Sequence, residues 1–322
     1  GNPASWYKDS KSLMLKVIPT NRPALLDDKK DLPTGPIVST ADGKVSQNRT
    51  YQDLLKNPTD EANFVTIVSS ELYKVDLNGN LTKFKDEQLY TGGSFSPDGN
   101  YYMLTTLKKP FSYIVPLQRF PMTTSVYDLN GKLIKEVNNV PLTEIMPKGF
   151  ASTREGKRNM YWKDNDPSTL IFVQALDGGD QAKKVENRDE IFFWKAPFNE
   201  APQSFYKTKQ RFAGLQFSNG DFALVADSWY DTRNSKTYMV NTKTGASKLI
   251  DDRNYQDVYS DPGSFNTVKN EYKRDVSDVQ NGKATLVGDG YTKEGQFPFI
   301  DEIDVKKKKK KRLYTSKLKD AK

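Results

Sequence analysis

Histidine and cysteine are both absent from the 322 residues. Without histidine the chain can supply no imidazole general base, no Ser-His-Asp triad and no imidazole-ligated metal. Without cysteine, thiol catalysis, thiolate metal sites and disulfides are excluded as well. The redox compartment stays open, because a cysteine-free protein persists in either. Long apolar runs are also missing, and nothing approaches the roughly 20 residues that a membrane-spanning helix needs. The opening Gly1-Asn2-Pro3-Ala4-Ser5-Trp6 carries no basic-then-apolar signal pattern and no initiator Met. The chain is therefore expected to be a processed or excised piece, with Gly1 a cleavage remnant. A nucleophile elbow would need Gly-x-Ser-x-Gly, and Gly92-Gly93-Ser94-Phe95 lacks the final glycine. No catalytic residue, metal or cofactor is assigned to this chain.

What the chain does have is aromatic residues: 17 Tyr, 17 Phe and 4 Trp, within a hydrophobic fraction of only 36%. That balance suits short, half-buried strands better than helices packed through Leu and Ala. The formal net charge is +8, and nearly all of it comes from the run Lys306 to Lys311 with Arg312. Nucleic-acid readers spread basic residues over a face or interleave them with stacking aromatics. A single run does neither, so no nucleic-acid partner is expected. A solvated turn or sheet edge, where lysines prevent mispairing, accounts for it.

Two phrases repeat along the chain. In the first, an aromatic and polar turn residues precede a strand, most clearly in Phe95-Ser96-Pro97-Asp98-Gly99-Asn100-Tyr101 before Tyr102 to Thr106. Weaker copies begin at Trp6, Tyr161 and Phe217. In the second, a hydrophobic strand runs into an Asp/Asn/Gly turn, as in Tyr73 to Leu81 and Val126 to Leu133, with further copies at Phe193, Tyr238 and Ile303. Asn-Gly between alternating apolar residues predicts a two-residue hairpin with positive φ at both central positions. Five such hairpins predict five sheets. The spacing of Gly79 and Gly131 is close to the roughly 40 to 50 residues of one four-stranded propeller blade. The expected fold is all-β, a β-propeller of four-stranded blades with about five blades present. The main interruption, at about 21–63, is predicted to be a long insertion between strands of the first blade, with one helical segment near Thr50 to Lys56. A second irregular stretch runs from Lys108 to Met122.

Possible sites compete with plainer readings. Asp76-Leu77-Asn78-Gly79-Asn80 is oxygen-rich like a calcium loop, but it lacks the downstream glutamate and suffices as a hairpin. Asp177-Gly178-Gly179-Asp180 and Asp251-Asp252 could pair carboxylates, yet such residues are ordinary in loops. Asn48-Arg49-Thr50 and Asn80-Leu81-Thr82 match the glycosylation acceptor pattern, which is short enough to recur by chance.

Several longer runs, in order, carry a resemblance. They are Leu32-Pro33-Thr34-Gly35-Pro36, Arg49 to Pro58, Pro110 to Pro116 with Arg119-Phe120-Pro121, and Ala175-Leu176-Asp177-Gly178-Gly179-Asp180. Together they resemble the propeller of the glutamyl-endopeptidase branch of the prolyl-oligopeptidase-like serine peptidases, from about Trp6 to the lysine run. The resemblance implies a seven-bladed ring that caps an active site and admits short or flexible peptides, with cleavage after acidic residues. It implies two blades before this chain and, after it, an α/β-hydrolase domain holding the Ser, Asp and His. On that basis residues 1–322 are expected to be a partial propeller domain, inactive alone, and a periplasmic or secreted location is expected.

An acidic side chain at the cleavage position needs a cation, and the planar arginine fork pairs both carboxylate oxygens. Arg119, Arg188 and Arg233 are the expected substrate-facing residues, with Arg154 and Arg158 behind them. Arginines facing solvent on loops are the plain alternative. The rival functional reading is a stand-alone propeller scaffold binding protein or glycan partners. A propeller with glycosidase activity would require a converging carboxylate pair. The oligomeric state is left open.

Overall fold

Each copy of the first phrase folds as the opening hairpin of a sheet, because a serine or aspartate side chain closes the turn that the following strand leaves. At Ser96 the Oγ accepts from Tyr101 N at 3.0 Å and donates to Asp98 Oδ1 at 2.6 Å. At Ser218 the Oγ donates to the Phe222 carbonyl at 2.7 Å. The computed structural model describes residues 3–27, 51–305, 307 and 309–317.

The described residues form five larger antiparallel sheets, whose main strands pair in chain order, and two two-stranded ribbons, Thr267–Lys269 with Asp275–Ser277 and Tyr291–Thr292 with Gly295–Gln296. Sheet I holds β1 (Ala4–Trp6), β2 (Ser12–Val17), β3 (Ser70–Asp76) and β4 (Leu81–Gln88). Sheet II holds β5 (Tyr90–Phe95), β6 (Tyr101–Leu107), β7 (Met122–Asp128) and β8 (Leu133–Val140). Sheet III holds β9 (Arg158–Trp162), β10 (Thr169–Ala175), β11 (Asp189–Lys195) and β12 (Gln203–Thr208). Sheet IV holds β13 (Arg211–Phe217), β14 (Phe222–Trp229), β15 (Asn234–Asn241) and β16 (Ser247–Asn254). Sheet V runs through Ser264–Phe265, Lys283–Gly288, Phe299–Asp304 and Lys310–Thr315, with Val279–Gln280 paired beside the second of these.

The chain divides into two compact units, Gly1–Lys148 with Ala196–Asn199, and Gly149–Lys195 with Glu200–Lys322. In the second unit the strand period of two sends alternate residues of β14 into different cores. Ala223 and Val225 join Ile171, Val173 and Ile191 of sheet III. Phe222 and Leu224 join Ala284, Leu286 and Ile303 of sheet V. A strand buried on both faces by neighbouring sheets is what face-to-face blade stacking requires, and it makes these sheets propeller blades. Each such Val, Leu or Ile contributes about 1.5–3 kcal/mol of burial. In the first unit the equivalent core lies between sheets I and II and is richer in rings: Tyr7, Phe84, Tyr90, Phe95 and Tyr102 surround Met14, Leu72 and Leu104.

Two local expectations need correction. The Asn-Gly turns are not two-residue hairpins with both φ values positive; only the glycines, Gly79 (φ 86°) and Gly131 (φ 80°), are left-handed. Asp76 and Asp128 set the longer loops instead. Asp76 Oδ1 accepts from Asn78 N and Asn80 N, both at 2.9 Å, so a type I turn precedes the glycine. The oxygens suggestive of a calcium loop are thus engaged by their own turn.

The helix is not at Tyr51–Lys56, which is irregular; α1 spans Pro58–Val68. Asn57 caps it by accepting from Asp60 N at 2.8 Å, and Pro58 occupies a position where its missing N–H costs nothing. Leu32 to Pro36, the Asn48 acceptor pattern and Thr50 lie outside the described residues.

The described residues of the basic run lie on a turn and an exposed edge strand, where they were expected: Lys310, Lys311 and Arg312 pair with Phe299–Asp304, and Arg312 bonds Asp301. Among the described residues no helix is long and apolar enough to cross a membrane.

Candidate functional site

A four-stranded meander has two ends, one with the first-to-second and third-to-fourth turns, the other with the second-to-third loop and the link to the next sheet. All five nominated arginines belong to the second kind of end in their own sheets. Arg119 lies between β6 and β7, Arg188 between β10 and β11, and Arg233 between β14 and β15. Arg154 lies on the link from β8 to β9, and Arg158 opens β9.

Arg119 is in the first unit, where its guanidinium lies 5.4 Å from the Tyr51 ring centroid. The loop around it is held by apolar packing: Phe111 stacks on Phe120 at 5.3 Å, and Phe64 of α1 meets both edge-on. Glu61 ties this loop to α1 by accepting from Lys109 Nζ at 2.8 Å and Tyr113 Oη at 2.9 Å. Those two hydrogen bonds hold its carboxyl below the ordinary value.

The other four arginines fall in the second unit, and one of them, Arg188, meets a carboxylate read from the sequence as an ordinary loop residue. Asp177 is fully buried and receives a bidentate fork from Arg211, Nη1 to Oδ1 at 2.9 Å and Nη2 to Oδ2 at 2.7 Å. Arg188 Nη1 adds a bond to Oδ2 at 2.8 Å, and Gly179 N one to Oδ1 at 2.9 Å. Burial raises the carboxyl's pKa, but the donors from Arg211 and Arg188 outweigh it and leave it below the ordinary value. Asp189, also fully buried, accepts from Arg211 Nη1 at 3.1 Å and from Phe212 N at 2.7 Å, and Arg158 Nη2 lies 2.5 Å from its Oδ2. Arg211 Nε donates to the Ala151 carbonyl at 2.6 Å, so every side of that guanidinium is used.

The paired glycines bring the loops together. Thr153 N donates to the Gly179 carbonyl at 2.9 Å, and a Cβ on Gly179 (φ +78°) would lie 2.0 Å from the Thr153 oxygen. Only glycine permits that approach. The Ala-Leu-Asp-Gly-Gly-Asp run thus builds a clamp, and its two glycines were the available signal. Nothing in the spacing pointed to Arg211 or Asp189.

Above the clamp is a cleft of about 300 Å³ lined by Phe150, Ser152, Arg158, Ser228, Tyr230 and Tyr255. Phe150, 67% exposed, stacks on Tyr230 at 4.4 Å. Arg233 lies 3.6 Å from the Tyr230 ring centroid and donates to Tyr255 Oη at 3.4 Å. Arg188 rests 4.6 Å from the Trp229 ring centroid. Arg154 donates to the carbonyls of Glu155 and Lys157 in its own loop.

The chain is 35% identical to a protein named probable glutamyl endopeptidase, chloroplastic, from Oryza sativa subsp. japonica, over 97% of this chain and 34% of that protein. It is 33% identical to one of the same name from Arabidopsis thaliana, over 96% of this chain and 33% of that protein. The chain therefore spans about a third of the length of the curated relatives it matches. The β-propeller domain of the trilobed protease from Pyrococcus furiosus aligns with 97% of this chain and 71% of its own, at 12% identity and a TM-score of 0.39. No family model matches.

Proposed function

We propose that the chain, 33–35% identical to two proteins named probable glutamyl endopeptidase, is the substrate-gating and recognition propeller of a prolyl-oligopeptidase-like peptidase, acting on peptides with acidic residues at the cleavage position. The catalytic Ser, Asp and His belong, in this reading, to an α/β-hydrolase domain in the remaining length of the protein. That assignment agrees with a chain that has no histidine. The observation that carries the recognition role is that, within the second unit, Arg154, Arg158, Arg188 and Arg233 all belong to the same kind of end of sheets III and IV, where Asp177 and Gly179 tie the loops together. A planar, permanently charged fork is the side chain best matched to a carboxylate. Export to the periplasm or medium is part of the same proposal, and fractionation of the source cells checks it.

The test is on the protein purified from its natural source. Its coding frame is expected to continue beyond Lys322 into a Gly-x-Ser-x-Gly strand-turn-helix, and its serine is expected to react with a fluorophosphonate probe. A stop codon at that point, with no labelled serine, would favour a stand-alone scaffold.

A further inference from the structure

Beside the cleft of the second unit, Arg158, Arg188 and Arg211 share two buried acids, Asp177 and Asp189, so that cations outnumber the carboxylates they pair with. Arg158 and Arg211 line the cleft itself, and Arg154 lies within electrostatic reach of Arg158. Arg211 and Arg188 are committed to Asp177. Arg158 is committed on one edge only. Its Nη2 lies 2.5 Å from Asp189 Oδ2, a carboxylate it shares with Arg211. Its Nη1 donates only to the carboxamide of exposed Asn159, at 3.2 Å. Arg154 donates to two backbone carbonyls of its own loop. Burial, and then the charge of Arg158, pull the Arg154 pKa down, as expected of crowded cations that share too little negative charge. The adjoining carboxylate, Glu155, is exposed and lies beside Gly178.

We propose that this cleft receives the side-chain carboxylate of an acidic peptide, with Arg158 as the residue that sets the preference for charge. The carboxylate takes the Nη1 edge now held by Asn159, whose amide returns to water without leaving a buried polar group. Ser152 and Ser228 supply hydroxyls at the same wall. The Phe150–Tyr230 stack, open to solvent at Phe150, offers an apolar platform for the neighbouring peptide residue. Arg233, lying against Tyr230, holds that platform rather than the ligand. The inference rests on the reading of the chain as a recognition segment for acidic peptides, and narrows its arginines to one site.

The experiment uses the 322-residue chain and two capped pentapeptides that differ only by Glu or Gln at the central position, titrated by calorimetry with inorganic phosphate as a third probe. The Glu peptide is expected to bind about tenfold more tightly than the Gln peptide, the size of one partly exposed charge-assisted hydrogen bond. Arg158→Gln is expected to erase the difference and Arg158→Lys to restore part of it. Lys243→Gln, which removes an equal charge from an exposed pair with Asp221, should leave it intact. If Arg158→Gln fails to fold, Arg154→Gln carries the same test with a several-fold loss. Retention of the preference in a folded Arg158→Gln chain, or phosphate binding more tightly than the Glu peptide, overturns the site. Equal or absent binding of both peptides to the unaltered chain also overturns it. Fluorophosphonate labelling and an open frame past Lys322 would still support the gating role in every one of those cases.

Discussion

The loop between β6 and β7 and the loop between β10 and β11 occupy the same topological position in successive sheets, and they are held by opposite chemistry. The first is anchored by rings, Phe111 on Phe120 with Phe64 of α1 against both. The second is anchored by charge, Asp177 between Arg211 and Arg188. Apolar anchoring is tolerant of direction and indifferent to pH. Charged anchoring fixes atoms at defined angles, fails sharply when one partner is removed, and leaves spare donors that can meet a ligand. A recognition site for an anion is therefore better built on the second kind of loop.

The sharpest break in that comparison is Asp177→Ala, which strands two buried guanidinium groups. It should cost about 3–5 kcal/mol, read by urea denaturation from the fluorescence of Trp162, Trp194 and Trp229. The folded pKa of Asp177 lies below its unfolded value, so its contribution is complete above the unfolded value and fades as the pH falls below it. Asp177→Ala should accordingly flatten the acid limb of the stability curve.

Phe120→Ala in the ring-anchored loop is expected to cost about 3–4 kcal/mol by leaving a cavity. Its effect should be the same at pH 5 and pH 8, and a clear pH dependence would dissolve the contrast between the two loops.

Asp227 sharpens the point from the other side. It is fully buried, its Oδ2 accepts from Gln210 N at 3.1 Å, and its Oδ1 has no partner among the described residues. Burial pushes its pKa up to about 6. The folded state therefore holds this proton more tightly than the unfolded chain. The resulting stability is complete below the unfolded value and is lost as the pH rises through about 6. Asp227→Asn should raise stability at pH 8 by up to about 3 kcal/mol and leave it nearly unchanged at pH 4. The smallest expected effect is Asn57→Ala, which removes the α1 cap for about 1 kcal/mol, seen as a modest fall in melting temperature.

The sheets were legible because their turns are written locally. Ser96, Ser218, Asp76 and Asp128 bond backbone groups only a few residues away. The helix lies beyond its expected place because Pro58 opens it, at a first-turn position where a proline has no N–H to lose. The clamp was illegible for a different reason. Asp177 meets Arg188 after 11 residues but Arg211 only after 34, across two strands, and no local pattern records such a pairing. The five arginines could be nominated by type and context, but their division into Asp177-bound, aromatic-bound and incompletely paired members needed the coordinates.

The most direct measurement is turnover of internally quenched peptides, with Glu or Gln before the scissile bond, by this chain alone and by the natural full-length protein. The account predicts no cleavage by the chain at any concentration and Glu-selective cleavage by the longer protein, lost when its elbow serine is replaced. Catalytic turnover by the 322-residue chain itself would contradict it.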